Sequence, residues 1–161
     1  RGFRWGIRLE ATAEAGDFAF ARPGLTARAA FPFFGDLLAA AEVAGGTTVS
    51  LGGDAEPAAP LQSLWHLGGP ASVRGFEGSA AVGQDFARGR VELATSFPAA
   101  RLALFSDAGW AGAYDAFDTD DALLSVGVGA SFLDGLVRLD LARTLQPDRR
   151  WRLELYTDAL F

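Results

Sequence analysis

Apolar and polar residues alternate with a period of two along most of this chain, the period of β-strands whose two faces meet different surroundings. At the start, Phe3, Trp5, Ile7, Leu9, Ala11 and Ala13 alternate with Arg4, Gly6, Arg8, Glu10, Thr12 and Glu14. At the end, Trp151, Leu153, Leu155, Thr157, Ala159 and Phe161 alternate with Arg150, Arg152, Glu154, Tyr156 and Asp158. Six more strands are expected at roughly 19–31, 37–51, 86–97, 101–110, 122–133 and 136–145. The total is eight, an even number, as in most bacterial membrane barrels.

The connections alternate in length. Phe33–Asp36, Pro98–Ala100 and Asp134–Gly135 are short, whereas 52–85 and 111–121 are long, polar and rich in Gly and Asp. Short turns on one side and long loops on the other are the pattern of outer-membrane barrels. Two connections on the long side, near Gly16–Asp17 and Gln146–Arg149, are short exceptions. The aromatics sort the same way: Phe3, Trp5, Phe31, Phe33, Phe97, Phe132 and Phe161 fall near the short turns, and Phe20, Phe86, Trp110 and Trp151 near the other end. This predicts two interfacial girdles.

Composition narrows the choice. Half of the 161 residues are hydrophobic, yet no stretch approaches the roughly 18 apolar residues of a membrane helix. A net charge of -6 argues against a nucleic-acid groove or an anionic-lipid patch. Without Cys, no disulfide, thiolate chemistry or Cys-based metal site is available. No catalytic group, cofactor or metal is expected. Met is also absent and no signal peptide precedes Arg1, so the chain is read as a processed or excised piece. A soluble sandwich or small soluble barrel would show the same alternation with its apolar face in a core. Aromatic sorting, strands of about ten residues and charges on the enclosed face favour an antiparallel transmembrane β-barrel spanning 1–161 as one domain.

The enclosed face carries Arg4, Arg8, Glu10, Arg28, Glu42, Arg88, Arg90, Glu92, Asp107, Arg138, Asp140, Arg152 and Glu154. Both signs occur on neighbouring strands, so most of these charges can pair without any functional role. Eight strands enclose only enough space for side chains, so transport requires more strands from elsewhere. Closure of 3–14 against 150–161 is the expected arrangement; two outcomes stay open for a long loop in so small an interior, docked against the inner wall or expelled upward.

The most specific segment lies in the loop at about 52–85, which contains Gly68-Gly69-Pro70 followed by Val73-Arg74-Gly75-Phe76. Two glycines before a proline permit a tight backbone path, and loops of this length are usually functional or disordered. Further along come Val91-Glu92-Leu93, then Phe105-Ser106-Asp107-Ala108-Gly109 with Trp110 behind it, then Val126-Gly127-Val128-Gly129, and a terminal Phe161. In this order the elements resemble the BamA, TamA and FhaC superfamily of outer-membrane insertases and two-partner-secretion transporters, the bacterial surface antigen family. The resemblance covers 62–161 through motifs and 1–61 through strand pattern alone.

The resemblance implies a bacterial outer-membrane barrel, with this chain forming half of sixteen strands or a shortened relative. It implies protein insertion or polypeptide translocation, with membrane lipid, unfolded polypeptide or barrel clients, and upstream periplasmic modules or accessory proteins as partners. It places Arg74 against the inner wall, with Asp107 and Glu92 as its acids and Phe105 and Gly109 beside them. Parity agrees, because Asp107 shares a face with Ala103 and Phe105, and Glu92 with Arg88 and Arg90. It makes Trp151, Leu153, Leu155 and Phe161 the targeting ladder. Two other readings stay open: a purely structural eight-stranded barrel, and a hydrolase built on Ser63 and the single His66. Nothing fixes a Ser-His-acid geometry in the second, and His66 reads as a loop residue beside Trp65.

Overall fold

A computed structural model describes residues 2–16, 19–52, 59–95, 100–133 and 136–157. Its strands are β1 (Arg4–Glu14), β2 (Phe20–Pro32), β3 (Leu37–Gly46), β4 (Val49–Ser50), β5 (Trp65–Leu67), β6 (Ala81–Gly83), β7 (Asp85–Thr95), β8 (Ala100–Gly112), β9 (Leu123–Phe132), β10 (Val137–Gln146) and β11 (Trp151–Tyr156). The only helical elements among the described residues are three single-turn 3-10 helices at Leu61–Ser63, Tyr114–Ala116 and Thr119–Asp121. None is long and apolar enough to cross a membrane.

The main sheet is antiparallel throughout, in the order β1-β2-β3-β7-β8-β9-β10-β11. The stub β4 pairs with the far end of β2, through Phe20↔Ser50 and Ala21↔Val49. The sheet therefore has nine strands rather than eight. The difference arises because the strand expected at 37–51 breaks after Gly46, where a Cβ would lie 2.7 Å from the Trp65 ring. The hairpin β5–β6 forms a separate small sheet inside the long loop. The turn at 33–36 closes with Leu37 N–H donating to Phe34 O at 2.9 Å and Gly35 at a φ of +55°. The turns expected at Pro98–Ala100 and Asp134–Gly135, and the terminal Phe161, lie wholly or partly outside the described residues.

The sheet does not close into a barrel among the described residues. Among the described residues β1 and β11 each have one strand neighbour, and they do not pair with each other. The physical reason is visible on the sheet's charged face, which holds the tip of the long loop. A closed barrel of this size has room for side chains only, so the docked loop and a closed wall compete for the same space.

Register keeps the two faces unlike across every seam. Ala29, Ala41 and Val91 continue the row begun by Trp5, while Arg28, Glu42, Arg90 and Asp107 form a row on the opposite face. Phe3, Trp5, Ile7, Val91, Leu153 and Leu155 are exposed and Leu93 is half-buried, so these side chains form no central core. The buried hydrophobic cluster is Leu67, Val73, Phe76 and Leu123, where the loop meets the sheet. One of the two expected girdles is corrected. At the short-turn end Phe31, Phe33 and Phe132 are exposed, and Phe3 and Phe31 lie 6.4 Å apart. At the other end Phe20 and Trp110 are buried and Phe86 stacks on Trp65, leaving only Trp151 of the four exposed. Phe20 and Phe86 belong to the charged face by parity, Phe86 packs against the loop, and Trp110 is covered edge-on by Phe117.

Candidate functional site

The loop reaches the sheet because its backbone can fold back sharply. Gly68 and Gly69 adopt φ values of +124° and +80°, and a Cβ on Gly68 would stand 1.9 Å from Glu77 O. Only glycine satisfies both conditions. The returning strand of the loop is held by Gly69 N–H donating to Phe76 O at 3.0 Å. The sheet then grips the loop backbone from below: Arg88 donates to Ala71 O at 2.8 Å and Arg90 to Pro70 O at 3.2 Å.

Val73, Arg74, Gly75 and Phe76 are all buried. Val73 seats over Gly109, where a Cβ would come 2.7 Å from Val73 Cγ2. The Arg74 guanidinium grips Asp107 with two parallel bonds, Nε to Oδ2 and Nη2 to Oδ1, both 2.7 Å. The Arg74 backbone N–H also donates to Asp107 Oδ2, at 3.0 Å. Nη1 donates to Glu92 Oε2 at 2.8 Å and lies 3.7 Å from Asp140 Oδ2. The guanidinium carbon stands 3.6 Å from the Phe105 ring centroid, a cation–π contact. Burial by itself would lower the pKa of Arg74, but hydrogen bonds and charge from Asp107, then Glu92, outweigh it and leave it raised.

The structure thus brings together Arg74, Glu92, Phe105, Asp107 and Gly109. It adds Arg138 and Asp140, which the sequence showed only as generic inward charges, and Tyr156, which the sequence showed only as a polar position of the last strand. Arg138 donates to Glu92 at 3.2 and 2.7 Å and to Asp140 at 2.9 Å. Tyr156 donates to Asp140 Oδ2 at 2.6 Å. Arg138 on β10 meets Glu92 on β7 across two intervening strands. In a flat sheet those backbones would lie about 14 Å apart, so the sheet curls around the loop. Three cations, Arg74, Arg90 and Arg138, face three carboxylates, Glu92, Asp107 and Asp140, so each buried charge has a counter-charge. The Gly-x-Gly element provides the room: a Cβ at Gly127 would lie 2.4 Å from Phe105, and one at Gly129 would lie 2.1 Å from Asp140. That spacing was the available signal for Asp140.

Beside the loop tip, the curled face borders an open pocket of about 530 Å³ reaching from Arg4 and Arg28 to Arg90 and Arg138. The Ser63–His66 pairing does not form. His66 instead contacts Ser79 Oγ at 3.0 Å through Nδ1 and Leu61 O at 3.1 Å through Nε2. Trp65 turns away to stack on Phe86 and under Arg22. No group of three or more His, Cys, Asp or Glu that could hold a metal ion occurs among the described residues. Trp151, Leu153 and Leu155 line the exposed face of β11.

A curled antiparallel meander with an arginine-bearing loop docked on its charged face defines an all-β wall built around an internal segment. The family model described as the Omp85 superfamily domain matches residues 1–146, and the chain belongs to that superfamily. The family in general inserts or translocates polypeptides at the outer membrane. No curated protein matches the chain.

Proposed function

We propose that this chain is one barrel unit of an outer-membrane protein that inserts or translocates polypeptides, and that its Val73–Phe76 loop is the internal anchor of that machine. The observation that carries this reading is the four hydrogen bonds by which Arg74 binds Asp107 and Glu92 on adjacent strands. A cluster built so densely around a loop tip is more than generic charge pairing requires. The exposed Trp5, Ile7, Val91, Leu153 and Leu155 row is the lipid-facing surface. Clients are unfolded polypeptides or barrel precursors, which add to a free strand edge by main-chain hydrogen bonding. No bond is made or broken. Upstream periplasmic modules or accessory proteins deliver the client.

The test is reconstitution of the full-length protein in lipid vesicles with an unfolded barrel client. Arg74→Ala should lower client insertion severalfold while the protein itself remains membrane-embedded. Equal insertion by wild type, Arg74→Ala and empty vesicles would instead support a purely structural barrel.

A further inference from the structure

The last strand is tied to the loop tip as well as to its neighbour. β11 pairs with β10 through only six residue pairs, from Arg138↔Tyr156 to Arg143↔Trp151, and its other edge has no partner among the described residues. Glu154 is 6% exposed, and its Oε2 accepts the Gly75 N–H at 3.2 Å. Its Oε1 lies 3.2 Å from Arg152 Nε, an ion-pair contact without hydrogen-bond geometry. Gly75 approaches β10 closely: its φ is +87°, and a Cβ there would stand 2.8 Å from Ala142, so only glycine brings the N–H to this position. Two residues further on, Tyr156 binds the Asp140 oxygen that faces Arg74. The inward side of β11 therefore has two attachments to the loop network.

We infer that Glu154 is a positioning residue that couples docking of the Arg74 loop to retention of the last strand on the sheet. A contact between two elements stabilises each by the same free energy, so release of either one loosens the other. This rests on the reading that a strand edge receives the client, because the loop would then govern how firmly the β11 edge is presented. The acceptor oxygen of Glu154 is the required feature, and its negative charge is secondary.

Hydrogen exchange of the full-length protein in lipid tests this. Glu154→Leu removes the acceptor at similar volume. Exchange should rise about tenfold or more at both 72–76 and 151–156, the scale expected for losing a buried hydrogen bond to a charged group. Exchange in β2 and β3 should not change. Glu154→Gln keeps an oxygen that accepts from Gly75 and should restore protection at both segments. Arg74→Ala touches no residue of β11, yet should also raise exchange at 151–156. The inference is overturned if Glu154→Leu leaves 72–76 protected, if Arg74→Ala leaves 151–156 protected, or if Glu154→Gln behaves like Glu154→Leu. Should Glu154→Leu fail to fold, the other two variants decide. Cross-linking of client to the β11 edge in the same variants separates the two readings. Coupled exchange with unchanged capture would retain the coupling and remove the edge as the client site.

Discussion

Arg74 is 1% exposed and so is Asp107, so without the other each would be a buried charge that has lost its main partner, Arg74 keeping Glu92 and Asp107 keeping only Arg90 at 3.6 Å. Removing one member of such a pair costs about 3–5 kcal/mol, whereas exposed pairs contribute about 0–1 kcal/mol. Arg74→Ala should therefore lower the urea midpoint of the folded protein far more than Arg149→Ala, since Arg149 lies exposed between β10 and β11. Arg74→Lys should recover only part of the loss, because an ammonium cannot reproduce the two parallel bonds to Asp107. A midpoint for Arg74→Lys equal to wild type would show that charge alone holds the loop. At this scale the sequence was readable where parity and motif coincided, at Arg74, Glu92 and Asp107. It was harder to read at Asp140, where the Gly127-x-Gly129 spacing was the one signal, and unreadable at Tyr156, whose role depends on how far the sheet curls.

Among the elements, β9 shows how a strand can serve its neighbours by lacking side chains. Gly127 and Gly129 leave the spaces that Phe105 and Asp140 occupy from the flanking strands. Gly129→Ala would push its Cβ into the Asp140 carboxylate, and overpacking of this kind typically costs about 1–3 kcal/mol. We expect a lower midpoint with far-ultraviolet dichroism still that of a sheet. Gly68→Ala should act on the loop instead, because both its φ and its contact with Glu77 O exclude a side chain. Limited proteolysis should then cut within 68–78 in the variant and spare the wild type. The last strand carries a separate expectation. Trp151, Leu153 and Leu155 stand exposed on β11, and deleting Phe161 should slow membrane insertion in cells if the ladder serves as the assembly address. Strand positions were legible because alternation is local. The break after Gly46 was not, because it depends on Trp65 arriving from nineteen residues away in sequence.

For the molecule as a whole, the main departure from the sequence reading is that the wall stays open, where closure of 3–14 against 150–161 is expected; the loop tip itself lies against Asp107 and Glu92, as the motif implies. Strand count and interior width argue for closure, but the hydrogen bonds and ionic contacts that hold Arg74 to the sheet are not visible to a count of strands. The absence of Cys allows a clean test. With Leu9→Cys and Leu155→Cys introduced together, the isolated chain should give no intramolecular disulfide under mild oxidation, since the required Cα separation is at most about 7 Å. Rapid formation of that disulfide would show that β1 and β11 meet.

The sheet's pairings join strands that follow one another along the chain, apart from the stub β4 on β2 and the step over the long loop from β3 to β7. The loop tip differs. Arg74 precedes Asp107 by 33 residues, and Gly75 precedes Glu154 by 79. During synthesis and assembly the tip is therefore made early and satisfied late, after the final strand has arrived. A chain stopped before β11 would hold its sheet ladder nearly complete while its loop still lacked an acceptor for Gly75. In time rather than in space, docking of the tip records that the last strand is in place.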